Sequence, residues 1–288
     1  MPSVLNQNGP LRAVHPKSGD PIRPGQIYMA PPDHHLLVEP GHVRLTKGPR
    51  ENWSRPAADP LFRSAAWSYG VDVIGVVLTG ALNDGTAGLY EVKQRGGIAV
   101  VQDPDDAAYP GMPRSALEHV KVDHCLPLAQ LPGLLVRLAA ERAAARLERA
   151  TSTPARQQGK EMTEEYTLNQ PVAVTCPDCG GALRRTELGT LTQFRCHIGH
   201  VYTAEVMMAA QFAAMEVSLG AAMRSLNERS ELCRQMAEKS RAADDPLTRT
   251  RWDASMQEAK ERARMMSQLL EAEWTHPDGF GVPEPLTE

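Results

Sequence analysis

The stretch Val73–Gly88, VIGVVLTGALNDGTAG, constrains this chain more than any other. Its apolar run, Val73–Leu78, is rich in β-branched residues and too short for a helix of normal length. It reads as a strand buried on both faces, hence parallel and central in its sheet. Thr79-Gly80 opens a loop, Asn83-Asp84-Gly85 closes it, and a small-residue helix from about Thr86 to Arg95 follows. Asp84 therefore falls just past the carboxyl end of a strand, beside a helix N-terminus. Open α/β sheets place ligands and catalytic side chains there. The same position suits an Asx turn or a helix cap, since Asp before Gly satisfies free backbone N–H groups. Position alone allows both roles.

The rest of the first half supports a layered fold. Residues 1–24 are polar and rich in Pro and Gly, and little regular structure is expected of them. Ile27–Ala30, Leu36–Glu39 and His42–Thr46 read as short strands of an antiparallel excursion at the sheet edge, with His34 and His35 as packed turn histidines. Pro60–Ser68 reads as a helix, Ile98–Gln102 as a second buried strand, Pro113–His119 as a short helix with Pro at its start, and Pro132–Arg149 as an amphipathic helix. The acidic loop Asp103–Asp106 reads as solvated turn. Cys125 lies in a last short strand and is expected in the core. This alternation predicts a doubly wound, mostly parallel α/β sheet. Residues 150–171 have no apolar periodicity and read as a linker.

Several of these segments together carry a resemblance. LTG-x-x-x-DG-x-x-G at Leu78–Gly88, GGIAVVQDPDDAAYPGMPRSAL at Gly96–Leu117, GQIYMAPPDHHLLV at Gly25–Val38 and RPAADPLFRSAA at Arg55–Ala66 occur in one order. In that order the chain, from about Gly9 to about Leu135, resembles the catalytic domain of CheB-type protein-glutamate methylesterases of bacterial chemotaxis. The resemblance implies a Ser-His-Asp hydrolase acting on glutamyl γ-methyl esters of chemoreceptor-like helices, with Asp84 as the triad carboxylate. It also implies that the Ser, in a Gly-rich strand-to-helix turn, and the His would precede the matching stretch. Only eight residues precede Gly9, so the domain, 1–149, is expected to lack its first strand-helix units. The chain as written is then expected not to hydrolyse esters by the usual route. Ala81 and Leu82 stand where many relatives have Met and Gly. A backbone N–H serving an oxyanion there would survive that change.

The second half carries a different chemistry. Cys176-x2-Cys179 is followed by Cys196 and, after three residues, His200, within CPDCGGAL…FRCHIGH. Two such knuckles offer thiolates from opposite sides, and zinc takes four N/S ligands tetrahedrally. The spacing predicts a zinc ribbon over 172–203 with a closed, structural Zn2+ held by Cys176, Cys179, Cys196 and His200. His197 competes for the fourth place, and a reduced, metal-free Cys cluster is the alternative. The resemblance extends here, because similar segments follow the methylesterase domain in some CheB-like proteins. Thr203 reads as a helix cap with Glu205 in the first turn. After it, Met208, Phe212, Met215, Leu219, Met223, Leu226, Cys233 and Met236 form an apolar seam with steps of three and four. Asp244-Asp245-Pro246 breaks the helix, and a second one carries Trp252, Met256, Ala259, Ala263, Met266, Leu270 and Trp274. The two predict an antiparallel hairpin over 204–275, its Met-rich seam either a hairpin core or a surface for partners, with a tail over 276–288.

Composition narrows the function. The chain of 288 residues suffices for two domains, and its net charge of −4 argues against nucleic acid despite Arg184, Arg185 and Arg195 near the knuckles. No unbroken run of about 18 apolar residues exists, so no membrane insertion is expected. Five cysteines, three of them clustered, fit a reducing, cytoplasmic compartment better than a disulfide framework. The expected partners are methylated chemoreceptor-like helices or related signalling proteins. A non-catalytic signalling adaptor working through ribbon and hairpin is the second reading.

Overall fold

The structure, a computed structural model, describes residues 2–151 and 171–272. The bulk of the expected linker, the expected tail and Trp274 lie outside the described residues. The chain divides into two compact units, Met1–Met207 and Met208–Glu288.

The first unit opens with α1 (Pro2–Asn8), β1 (Arg12–Val14), β2 (Gln26–Tyr28), β3 (His35–Glu39) and β4 (His42–Thr46). Alternation follows: α2 (Ala58–Tyr69), β5 (Ile74–Val77), α3 (Thr86–Gln94), β6 (Ile98–Gln102), α4 (Gly111–His119), β7 (His124–Leu126) and α5 (Leu131–Thr151). The N-terminal stretch is more regular than its composition suggests. The Asn6 side chain exchanges two hydrogen bonds with the Ala13 backbone, which ties α1 to β1. The excursion is only partly antiparallel: β3 and β4 form an antiparallel hairpin, but β1 and β2 pair in parallel.

The α/β layer is a parallel sheet of order β5-β6-β7. The sheet's central strand is therefore β6, and β5 flanks it, which corrects the expectation that Val73–Leu78 is central. Burial follows the order. Four of the five β6 residues are buried, whereas β5 alternates between half-buried and buried. Strand periodicity then splits the core. Ala99 and Val101 face α3 and α4 with Val77, Leu89 and Ala116. Val100 points the other way, onto Leu131, Leu134 and Leu138 of α5. Both faces are thus covered by helices, as the doubly wound reading requires. Cys125 is exposed, not core, because it sits on β7 at the sheet's edge.

Later in the chain, β8 (Pro171–Thr175), β9 (Ala182–Leu188), β10 (Leu191–Cys196) and β11 (Val201–Thr203) form an antiparallel sheet of order β11-β10-β9-β8. Two long helices complete the chain: α6 (Ala204–Ala242) and α7 (Pro246–Glu271). Thr203 caps α6 by accepting from the Val206 N–H at 3.5 Å, and Asp245 caps α7 by accepting from the Thr248 N–H at 3.1 Å. Of the expected seam, Cys233 is buried and most other members are half-buried. Met208 is exposed, and its neighbour Met207 is the buried one. Without forming an unbroken apolar run, α6 is long and apolar enough by composition to cross a membrane. An unbroken-run criterion overlooks such an Ala- and Met-rich helix.

Helices α2 and α3 meet closely, and Gly88 makes the approach possible. A Cβ there would fall 2.6 Å from the Phe62 Cβ and 2.9 Å from the Asp59 carbonyl oxygen. The second of these atoms is backbone and cannot rotate away. Gly88→Ala is expected to destabilise the protein by about 1–3 kcal/mol or more, the range for an overpacked core. A shift of the urea-unfolding midpoint checks this.

Candidate functional site

The turn after β5 is held from several sides. The Thr79 N–H donates to Gln102 Oε1 at 2.9 Å, the Gly80 N–H to the Tyr109 carbonyl at 2.9 Å, and the Met112 N–H back to the Gly80 carbonyl at 2.9 Å. Leu82 takes a left-handed φ of 60° and Gly85 one of 89°, so the chain turns sharply into α3. This fixes Asp84 beyond the end of β5, where the sequence reading puts it.

What Asp84 touches is more specific than that reading. Its Oδ2 accepts from the Ala58 N–H at 2.7 Å and its Oδ1 from the Asp59 N–H at 3.3 Å. Asp84 therefore caps α2, the neighbouring helix, rather than the helix that follows it. Asp59 returns the arrangement: its Oδ1 accepts from the Gly88 N–H in the first turn of α3 at 2.7 Å. Each helix start is satisfied by a carboxylate from the other strand of chain. Asp59 Oδ2 also accepts from Asn52 Nδ2 at 2.8 Å. Among the described residues, neither a serine nor a histidine bonds to Asp84.

The electrostatics follow from burial. Asp59 is completely buried, and its carboxyl is pushed up to about 8, first by desolvation and then by the charges of Asp84 and Glu51. Burial raises the Asp84 carboxyl as well, against the backbone N–H groups of Ala58 and Asp59. Glu51 pairs with Arg63 at 2.5 Å, yet its Oε2 and the Asn52 Oδ1 are buried acceptors without a donor among the described residues. Buried acceptors crowd this pocket, and burial beside two other carboxylates is what favours the protonated form of Asp59.

Sequence reasoning missed Asp59, because it starts the helix at Pro60. Asp directly before Pro at a helix start is a capping signal, and it was available. His35 is buried and structural: its Nδ1 accepts from the Ala57 N–H at 3.2 Å, so Nε2 carries the proton toward the Pro49 carbonyl at 2.9 Å. His34 bonds the Pro32 carbonyl within its turn.

The second cluster matches the expected donor set. One ligand atom each from Cys176, Cys179, Cys196 and His200 lies within 4.8 Å of every other. Cys179 and Cys196 sulfurs are 3.7 Å apart, and His200 Nδ1 is 3.6 Å from the Cys176 sulfur and 3.4 Å from that of Cys196. Tetrahedral zinc, with bonds of about 2.3 Å to sulfur and 2.0–2.1 Å to nitrogen, spaces its ligand atoms roughly 3.5–3.8 Å apart. His197 is exposed, and the space beside Gly181 is filled by its ring, 2.2 Å from where a Cβ would stand. It is not in the cluster. Burial acts to raise the Cys176 thiol, but the Tyr202 hydroxyl, 3.4 Å away, and the Cys179 and Asp178 N–H groups outweigh it and lower it. Asp178 stands 3.9 Å from His200 Nε2, on the far side of the ring from the cluster, as carboxylates behind metal-bound histidines do.

The two clusters are joined through Asn83, Thr203 and Glu205, which the sequence reading placed in a turn and a helix start without linking them. Asn83 Nδ2 donates to Thr203 Oγ1 at 2.5 Å and to Glu205 at 2.8 Å. The Asn52 N–H donates to the Val201 carbonyl at 2.8 Å, and the Val201 N–H to the Arg50 carbonyl at 3.3 Å. A separate apolar cavity of about 710 Å³, lined by Tyr28, Leu36, Val38, Leu61 and Tyr69 among others, includes neither Asp84 nor the cysteines.

Comparison with known proteins places the first half of the chain in one family. The family described as CheB methylesterase matches residues 1–135. A Leptospira interrogans protein named as a protein-glutamate methylesterase/protein-glutamine glutaminase is 46% identical over 136 residues, which is 47% of this chain and 70% of that protein. One of the same name from Pyrococcus abyssi is 39% identical over 125 residues, 42% of this chain and 34% of its own. The crystal structure of the Thermotoga maritima CheB methylesterase catalytic domain aligns with a TM-score of 0.46 at 34% identity, covering 48% of this chain and 75% of that one. The chain belongs to the CheB methylesterase family.

The raised Asp59 carboxyl has a pH consequence. Above its ordinary value near 3.8 the unfolded chain releases this proton, while the native state keeps it until about 8. Across that window the native state binds more protons, so this group makes stability fall as pH rises. Asp59→Asn is expected to be less pH-dependent than the wild type between pH 4 and pH 8. Urea midpoints of both proteins across that range check it.

Proposed function

We propose that this chain belongs to a protein-glutamate methylesterase of chemotaxis-type signalling and contributes the Asp of its Ser-His-Asp triad, the one triad member the resemblance places among these 288 residues. Its substrates are glutamyl γ-methyl esters on chemoreceptor-like helices, and Asp84 is the carboxylate that orients a catalytic histidine. The observation that carries the reading is the anchoring of Asp84. Asp84 stands past the end of β5 with both its oxygens fixed by the backbone N–H groups of Ala58 and Asp59, and a carboxylate so held has further lone pairs with which to accept an imidazole N–H. In such a reaction the histidine takes the serine proton as the serine oxygen attacks the ester carbonyl, returns it to the departing methanol, and then activates the water that cleaves the acyl-serine to free the glutamate. Asp84 holds the ring in the right tautomer and stabilises its cation. The other reading, a non-catalytic adaptor, draws on Asp84's present engagement with the start of α2. It would work through the Cys/His domain and the two C-terminal helices.

Those helices fit an antiparallel hairpin. A short turn joins them, Arg229 of α6 donates to Ser255 of α7 at 3.3 Å, and Cys233 and Ala237 are buried on one helix as Ala259 and Ala263 are on the other. The four-stranded sheet with its Cys3His cluster fits a zinc ribbon, with a structural Zn2+ on Cys176, Cys179, Cys196 and His200. The ion would supply folding energy to a small domain and would take no part in ester chemistry. A reducing cytoplasm keeps those thiols available as ligands.

Two experiments test these readings. Protein isolated from its own cell is expected to release methanol from methyl-labelled receptor, and Asp84→Asn to slow release on the order of 10³–10⁴-fold. No release from the wild-type protein overturns the hydrolase reading. Elemental analysis is expected to find one zinc per chain, lost in Cys176→Ser and Cys196→Ser and retained in His197→Ala. Retention in the cysteine variants overturns the site.

A further inference from the structure

We infer that metal binding at the Cys3His cluster sets the order of the Asn83–Gly85 turn, and that Asn83 is the positioning residue through which the two are linked. This rests on the zinc reading above and adds a regulatory consequence to it.

The argument follows the chain from ligand to turn. Cys196 and His200 close one knuckle: the Cys196 N–H donates to the His200 carbonyl at 3.1 Å and the Gly199 N–H to that of Cys196 at 3.0 Å. The next residue is Val201, whose backbone N–H and carbonyl both bond to the Arg50–Asn52 segment. Two residues on, Thr203 is fully buried, and it shares both protons of the Asn83 amide with Glu205. Asn83 itself is 3% exposed. If β11 and the start of α6 withdrew, water would replace these two acceptors and the Asn83 side chain would lose the contacts that fix it.

The two faces also fit closely. A Cβ on Gly189 would stand 2.9 Å from the Tyr90 ring, and one on Gly199 3.0 Å from Pro49. His119 Nδ1 meets Thr190 Oγ1 at 2.8 Å. The donor side is a four-stranded sheet of short strands. A domain of this size builds little core of its own and depends on its metal for folding. Metal loss therefore removes the partners of Asn83 and of the Asn52 backbone together. Asn52 leads on to Asp59, which holds α3, and Asp59 lies beside Asp84. The effect is thus delivered to the Asp84 turn, while the sheet behind it keeps its own core of Ala99, Val100 and Val101.

Hydrogen exchange on the full chain tests this. Zinc content is measured first, and zinc-loaded and chelator-stripped samples are then compared. Stripping is expected to speed exchange about tenfold or more in peptides covering 55–62 and 83–90, with less than about a twofold change over 98–102. Asn83→Ala is expected to keep its zinc and to exchange fast over 83–90 in both states. Should that variant not fold, Glu205→Ala, which leaves the Thr203 bond in place, is expected to keep its zinc and to show a reduced response.

Equal protection of the turn in loaded and stripped protein overturns the coupling and leaves the zinc reading standing. So does acceleration that spreads evenly to 98–102. Wild-type protein that binds no zinc overturns both.

Discussion

The α2–α3 pair depends on an exchange of carboxylates. Asp84, just ahead of α3, accepts the first N–H groups of α2, and Asp59, in the first turn of α2, accepts one from α3. Helix starts leave donors that must be satisfied when buried, and here each helix answers for the other. The arrangement works only because Gly88 lets the helices meet. Its electrostatic cost is visible in the carboxyls, both raised by loss of water. The helix N-termini favour negative charge, and burial beside a like charge opposes it. Protonating one carboxyl while the other stays ionised relieves the conflict.

Much of this was legible in the chain. The run Val73–Leu78 announced a strand, and the Asn83-Asp84-Gly85 turn announced a helix start, because apolar period and turn chemistry are local properties. The position of β5 at the flank of its sheet was not legible. A strand covered by helices on both faces reads as apolar wherever it lies in the order. The two roles first weighed for Asp84, cap and catalytic acid, are not exclusive: it does cap a helix, though not the one next to it in sequence. That choice depends on which helices pack together, and no local pattern carries it.

The Cys/His cluster was the most legible part, because ligand spacing is a short-range constraint. The structure brings the four predicted donors together and leaves His197 out. What spacing could not convey is where the cluster docks. Asn83 reads as an ordinary turn residue, and nothing near it in sequence names Thr203 or Glu205 as its acceptors. Cys125 errs in the other direction. Its apolar neighbours suggested a core position, but a strand at the edge of a sheet has one side open, and the thiol lies there.

The contacts differ greatly in the length of chain they close. Those between Asp84 and α2 span 25 and 26 residues, and that between Asp59 and Gly88 spans 29. Those from Asn83 to Thr203 and Glu205 span 120 and 122. Closing the longer loop costs more entropy, though only logarithmically, and a diffusing chain finds the shorter closure sooner. The helix pair is thus complete early on the way to the native state, with Asn83 already turned outward. The contacts inside the Cys/His cluster close loops of 17 and 24 residues, so it is the docking of the two, and not the forming of either, that the long closures set last.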